Sequence, residues 1–133
     1  MEASLQIGLL GETRVVVSER DTAIAHGSGG VPVFATPAMI ALMENAALTS
    51  VARYLSEGST TVGIKISSTH SAATPVGMEV TAKAELIEID GKRLIFRVEA
   101  FDEVDRIGEG IHERFIINTE KFMKKIIDKG LRQ

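Results

Sequence analysis

Val33-Phe34-Ala35-Thr36-Pro37-Ala38-Met39-Ile40-Ala41-Leu42-Met43-Glu44-Asn45-Ala46-Ala47 is the stretch on which the fold of this chain turns, because it opens the longest helix-like pattern in the sequence. Thr36 before Pro37 reads as a helix start: a threonine hydroxyl accepts a backbone N–H at an N-cap, and proline fits the first helical turn. The pattern predicts a helix from about Pro37 to Leu55, followed by Ser56-Glu57-Gly58 with Gly58 as a left-handed C-cap. Met39, Ile40, Leu42, Met43, Ala46, Ala47, Val51, Tyr54 and Leu55 cover well over half the circumference, so the helix is expected to be enclosed on most sides. Glu44 stands in this apolar company. At about 100° per residue it projects beside Ile40, Ala47 and Val51, along the buried stripe. A carboxylate placed there is costly unless it is paired or working.

The flanking sequence supplies a sheet. Leu5 to Ser18 reads as a strand pair or one bent strand interrupted at Gly8 and Gly11, and Thr22-Ala23-Ile24-Ala25 as a short second strand. His26-Gly27-Ser28-Gly29-Gly30-Val31-Pro32 lacks the lysine and the strand–loop–helix spacing of a phosphate-binding loop, so it reads as a flexible loop over a pocket entrance, with His26 a loop residue. Thr60 to His70 alternates as a strand, with Val62, Ile64, Ile66, Ser68 and His70 on the core-facing row. After the turn Thr74-Pro75-Val76-Gly77 come a strand over Met78 to Ile89, a hairpin at Asp90-Gly91 and a return over Lys92 to Phe101. Leu94, Phe96, Val98 and Ala100 point inward on that return strand. A last strand runs from Ile107 to Asn118, where Gly108 and Gly110 mark a bulge or a close backbone approach. A short C-terminal helix follows to about Lys129, with Thr119 as its N-cap.

A helix buried on most sides, followed by consecutive antiparallel strands, requires a sheet that curls around it. The expected class is α+β, an antiparallel sheet wrapped around a long central helix with a short C-terminal helix: a hotdog fold in one domain over residues 1–133. Composition narrows the function classes. Net charge is -3 and aromatics are 5%, which argues against a basic or stacking nucleic-acid surface. Cysteine is absent, which removes a disulfide framework, thiolate metal sites and a cysteine nucleophile, and fits a cytoplasmic protein. Met1-Glu2-Ala3-Ser4 has no basic n-region, so no secretory leader is expected, and no apolar run approaches the roughly 20 residues of a membrane helix.

Thr36, Glu44 and His70 form the candidate constellation. Each has a plain reading alone: a cap, a carboxylate bent back to solvent, a satisfied core histidine. Together these weaken, because separate patterns place each residue inward and place no other titratable pair there. A buried carboxylate as base or nucleophile, an imidazole as proton partner and a hydroxyl as positioner make a hydrolytic site without cysteine or serine. The three histidines are too far apart in sequence for metal-ligand spacing, and no metal or cofactor is expected.

Val33 to Pro37, Met43 to Ala47, Val62-Gly63-Ile64 with His70, Ala73 to Met78, and Ile107-Gly108-Glu109-Gly110-Ile111-His112-Glu113-Arg114 resemble the fluoroacetyl-CoA thioesterase-like family of hotdog proteins, nearly end to end. The resemblance implies an acyl-CoA thioesterase with Thr36, Glu44 and His70 as its triad. It implies a homodimer, or a tetramer, with pockets at the subunit interface and coenzyme A entering as part of the substrate. In that setting Gly63 lines the acyl end, since glycine allows close approach. His112 and Arg114 share one face of the last strand, either solvated or turned to the site. In the second case Arg114 contacts the coenzyme A phosphates or supports the site. Arg53, Lys65 and Lys92 are further candidates for those phosphates. One departure matters: the fluoroacetyl-specific member carries bulky aromatic gating over its pocket, whereas this loop, His26 to Gly30, has no aromatic other than His26. Hydrolysis is implied; selectivity for a fluorinated acyl group is not. The rivals are a hotdog module that binds acyl-CoA without turnover, which has no need of an inward carboxylate, and an enoyl-CoA hydratase, whose closer Asp/His pair is not found.

Overall fold

The computed structural model describes residues 4–133, so Met1 to Ala3, on which the expectation of no leader partly rests, lie outside it. The elements in order are β1 (Leu10–Val16), a single 3-10 turn (Glu19–Asp21), α1 (Ala23–His26), α2 (Thr36–Ala52), β2 (Ser59–His70), β3 (Glu79–Asp90), β4 (Arg93–Phe101), β5 (Arg106–Asn118) and α3 (Thr119–Gly130). The strands form one antiparallel sheet in the order β1-β3-β4-β5-β2, and α2 lies across its concave face, in contact with all five strands. This is the hotdog architecture. No helix among the described residues is long and apolar enough to cross a membrane.

The alternation in β3 and β4 builds the core. Val80, Ala82, Ala84 and Leu86 from β3 and Leu94, Phe96, Val98 and Ala100 from β4 are all buried against Met39, Met43, Ala46, Ala47 and Val51 of α2. Small residues bring the layers close. A Cβ on Gly11 would run into the carbonyl of Ala46, and one on Gly108 would stand 2.6 Å from the Thr69 carbonyl oxygen and 2.7 Å from Met39 Sδ. Gly108 therefore serves the close approach that its place in the last strand suggested, and the β4–β5 register slips beside it.

Several expectations are corrected. Thr22-Ala23-Ile24-Ala25 is not a strand: the Thr22 side chain accepts a hydrogen bond from Ala25 N and caps the short helix α1, whose last residue is His26. Only Leu10–Val16 of the first segment is regular strand, because Gly8 turns at a φ of 101° before it. Helix α2 ends at Ala52 with Arg53 as its C-cap, and Gly58, although left-handed at a φ of 83°, belongs to the turn into β2. The β3–β4 turn centres on Gly91-Lys92, one residue beyond Asp90-Gly91, since Asp90 pairs with Arg93. Helix α3 is capped by Asn118, which accepts from Lys121 N at 3.0 Å, so Thr119 is its first helical residue. Within one chain α2 also keeps an open flank, where Ala41, Asn45 and Thr49 are exposed.

The largest departure is in β2. Its pairing with β5 steps from Gly63↔Arg114 to Lys65↔Glu113, leaving Ile64 as an extra residue. Such a bulge reverses which residues face the core. Before it, Thr61 is buried and Gly63 faces α2; after it, Ile66, Ser68 and His70 turn inward, and Ser68 reaches Met43 Sδ. Ile64 is 51% exposed instead of lying in the core.

Candidate active site

Two polar clusters lie under the helix. The first is at the start of α2. The N-cap there is Ala35, not Thr36, and it makes no side-chain capping bond. The Thr36 hydroxyl is instead 2.6 Å from Nδ1 of His70, the last residue of β2. The competition between cap and site for this one hydroxyl is thus resolved in favour of His70. The opposite ring nitrogen, Nε2, is buried and has no hydrogen-bond partner among the described residues. A buried polar atom left unpaired costs about 1–3 kcal/mol, and such atoms concentrate where a group outside the chain completes the bond. Burial also holds the His70 pKa below its ordinary value, because the cation would lose its water; a backbone hydrogen bond at Ala72 offsets this only partly. The pair opens into a cleft of about 250 Å³ lined by Ala23, Ser28, Phe34, Thr36, His70 and Ala72, among others, so the glycine loop contributes a wall through Ser28.

The second cluster surrounds Gly63. A Cβ on Gly63 would lie 3.1 Å from Glu44 Oε2, 3.2 Å from His112 Cε1 and 3.4 Å from Arg114 Nη1, so three side chains converge on the space a methyl group would fill. His112 and Arg114 face inward, 1% and 7% exposed. Arg114 donates through Nε to Thr61 Oγ1 and through Nη2 to the Thr61 carbonyl, both at 2.8 Å. His112 Nδ1 is 2.8 Å from the Lys65 carbonyl and its Nε2 is 3.2 Å from Arg114 Nη1. Burial lowers the pKa of both groups. The charge of Glu44 acts in the opposite direction on each, and the charge of Arg114 lowers His112 further.

Sequence periodicity therefore brings Thr36 to His70 but does not bring Glu44 to His70 within one chain. Eight residues separate Thr36 from Glu44, about 12 Å along a helix axis at 1.5 Å per residue. Gly63 and His70 are seven residues apart in β2, roughly 20 Å of strand at about 3.3 Å per residue. The near titratable neighbours of Glu44 are His112 and Arg114, while Glu44 is not among the influences on the His70 pKa. His112 and Arg114 are a second inward titratable pair, one that the sequence pattern was not expected to contain. The signal for His112 was present: the period-two partnership with Arg114, opposite Ile66 and Gly63 once the Ile64 bulge is counted. Arg114 lies inside, beside Glu44 and not on an outer face; Arg53, Lys65 and Lys92 are exposed.

An antiparallel sheet curled over one long helix defines a class, the hotdog fold. The family described as fluoroacetyl-CoA-specific thioesterase, FlK, matches residues 17–120. The fluoroacetyl-CoA thioesterase of Streptantibioticus cattleyicolor is 50% identical over 97 residues, which cover 73% of this chain and 70% of that one. The solved structure of FlK superposes with a TM-score of 0.89 at 39% identity, covering 96% of this chain and 98% of FlK. A phenylalanine-to-alanine mutant of FlK in complex with fluoroacetate and CoA gives 0.83 at 40% identity over 89% of this chain and 99% of that one. A Thermus thermophilus hypothetical protein, a thioesterase superfamily member, gives 0.88 at 29% identity over 96% and 94%. The chain belongs to the fluoroacetyl-CoA-specific thioesterase family, and it is an acyl-CoA thioester hydrolase.

Proposed function

We propose that the chain hydrolyses short or medium acyl-CoA thioesters to the free acid and CoA at a site made of Thr36, Glu44 and His70, assembled between two copies of the chain. The observation that carries this is the separation of the two clusters. The Thr36–His70 pair has a buried, unpartnered Nε2 at one end of the helix, and the Glu44 carboxylate lies about two helical turns away beside Gly63 and Arg114. A two-fold partner whose helix runs antiparallel brings one chain's Glu44 to the other chain's His70 and supplies what each cluster lacks. Relatives known by name as thioesterases, one of them solved with fluoroacetate and CoA, support a CoA thioester as substrate.

In this site Glu44 attacks the thioester carbonyl carbon, or removes a proton from the water that does. The carbonyl π electrons move to oxygen, beside the backbone at Gly63 and the Arg114 guanidinium. As the tetrahedral species collapses, the C–S bond breaks and a proton held at His70 goes to the CoA sulfur. Where Glu44 is the nucleophile, water then cleaves the mixed anhydride, its oxygen leaves in the free acid, and one of its protons returns to His70; where Glu44 is the base, the proton it took from water passes on to His70, so both routes restore the carboxylate and the proton at the imidazole. Thr36, bonded to Nδ1, fixes the imidazole so that Nε2 faces the reacting atoms. The buried position of Arg114 suits the acyl end and not the phosphates of CoA. The loop over the cleft carries no bulky aromatic between His26 and Gly30, so nothing in it restricts the acyl group to a fluorinated one.

Thiol release measured over a panel of acyl-CoA esters tests the proposal. Turnover of short esters that falls at least about 100-fold in Glu44→Ala is expected. Unchanged turnover in that variant removes Glu44 from the site, and no turnover of any ester by the native chain favours a binding module.

A further inference from the structure

We infer that His112 is a positioning residue: a neutral imidazole, locked as the Nδ1–H tautomer, that fixes the Arg114 guanidinium in the space over Gly63 where the Glu44 carboxylate lies. This deepens the proposed function and rests on it. The lock follows from the bond partners. The Lys65 carbonyl only accepts, so His112 Nδ1, 2.8 Å away, carries the hydrogen. Arginine only donates, so His112 Nε2, 3.2 Å from Arg114 Nη1, offers its lone pair. Protonation of Nε2 would set N–H against N–H and cation against cation in a site that water hardly reaches. The lowered pKa of His112, from burial first and the neighbouring guanidinium after it, agrees with the neutral form.

The result is an arginine held on three of its donor edges: Nε and Nη2 by Thr61, Nη1 by His112. A guanidinium is planar, so fixing all three nitrogens fixes its plane. Among the described residues the only side-chain acceptor holding Nη1 is His112, and Nη1 is the guanidinium nitrogen nearest the space over Gly63. His112 thereby acts on the reacting end through Arg114. It also ties β5 to the residue that follows the Ile64 bulge, through the Lys65 carbonyl. The two bonds define two roles, and they can be separated.

His112→Gln retains an acceptor at the position of Nε2 and loses the donor to Lys65. His112→Asn retains a donor at the position of Nδ1 and loses the acceptor for Arg114. If His112 positions Arg114, the Asn variant loses about 10- to 100-fold in kcat with a smaller change in KM, since sub-ångström misplacement costs rates of this order. The Gln variant then recovers most of that loss. If His112 only anchors the strand, the order reverses or both variants keep their kcat while melting earlier, and the inference is overturned. Nitrogen-15 spectra read the same point without turnover. In the native chain His112 shows a protonated Nδ1 and a bare Nε2 at neutral pH, and the Arg114 Nη protons are resolved; they average in Asn and stay resolved in Gln. An Nε2–H tautomer, or Nη protons still resolved in Asn, refutes the lock even if the thioesterase reading stands. Absence of turnover with the spectra as described sinks the thioesterase reading and leaves the lock intact.

Discussion

Assembly of the site from two chains can be tested by complementation. Co-expression of Glu44→Ala and His70→Ala subunits carrying different tags, purified through both tags, gives a dimer with one lesion in each chain. If the carboxylate of one chain serves the Thr36–His70 pair of the other, one site of the dimer collects both lesions and the other site carries neither. Activity per dimer is then about half of the native value, because closed two-fold symmetry makes two equivalent sites. If each site were built within one chain, both sites would carry one lesion, and activity would stay at the level of the parent variants, at least about 100-fold down. The two outcomes thus differ by a factor of roughly fifty, far beyond assay error. The distances decide which to expect. About 12 Å of helix separates Thr36 from Glu44 and roughly 20 Å of strand separates Gly63 from His70, against side-chain reaches of about 5 Å. The measurement is thiol release from a short acyl-CoA at saturating substrate, with each homodimer as control. A doubly tagged dimer no more active than its parents refutes assembly across the interface, and sedimentation showing only monomer at micromolar concentration removes its premise.

Two further perturbations follow from the same geometry. Gly63→Ala sets a methyl group 3.1 Å from Glu44 Oε2 and 3.4 Å from Arg114 Nη1; the carboxylate must retreat by a few tenths of an ångström, so kcat should fall by about tenfold with a melting temperature nearly unchanged, and a fully active variant would show that the space over Gly63 is not the reacting centre. The second concerns pH. Burial holds the folded-state pKa of both His70 and His112 below the ordinary histidine value of 6.5. Just below that pH the unfolded chain binds more protons than the folded one, so stability is full above about 6.5 and is lost as pH falls toward the folded values. Calorimetry should find a lower melting temperature at pH 5 than at pH 7.5, with less of a drop in His112→Gln; a melting temperature that rises on acidification contradicts the burial of both rings as neutral groups.

The parts of the fold legible in the sequence are those where one rule acts alone. Strict alternation in β3 and β4 marked their core faces, and the apolar girth of α2 required a sheet around it. Helix and strand ends were legible only where local chemistry was unopposed. Asn118 and Thr119 are both capping residues, and which of them caps depends on where the β5 pairing stops. Thr36 was misassigned as a cap because nothing local reveals that a histidine 34 positions later takes its hydroxyl. His112 stayed hidden for a related reason: a histidine beside an arginine in a terminal strand ordinarily lies on a solvated face, and only the three-dimensional neighbours Thr61 and Lys65 hold both inward.

The Ile64 bulge explains both what the strand period captured and what it missed. Gly63 and His70 are seven residues apart, an odd number, so in a regular strand they face opposite sides of the sheet. Counting back from His70, whose inward place was right, strict alternation puts Ile64 and Val62 in the core and turns Gly63 away from the helix. One extra residue between Gly63 and Lys65 restores the parity, so that the glycine and the histidine both face α2. Regular pairing of this same sequence would give α2 either the imidazole for Thr36 or the bare backbone at Gly63 for Glu44. The bulge gives it both, at the cost of leaving Ile64 half exposed at the sheet edge. The apolar residue that looks least functional in the strand is therefore the one whose displacement lets both clusters of the site form on one strand.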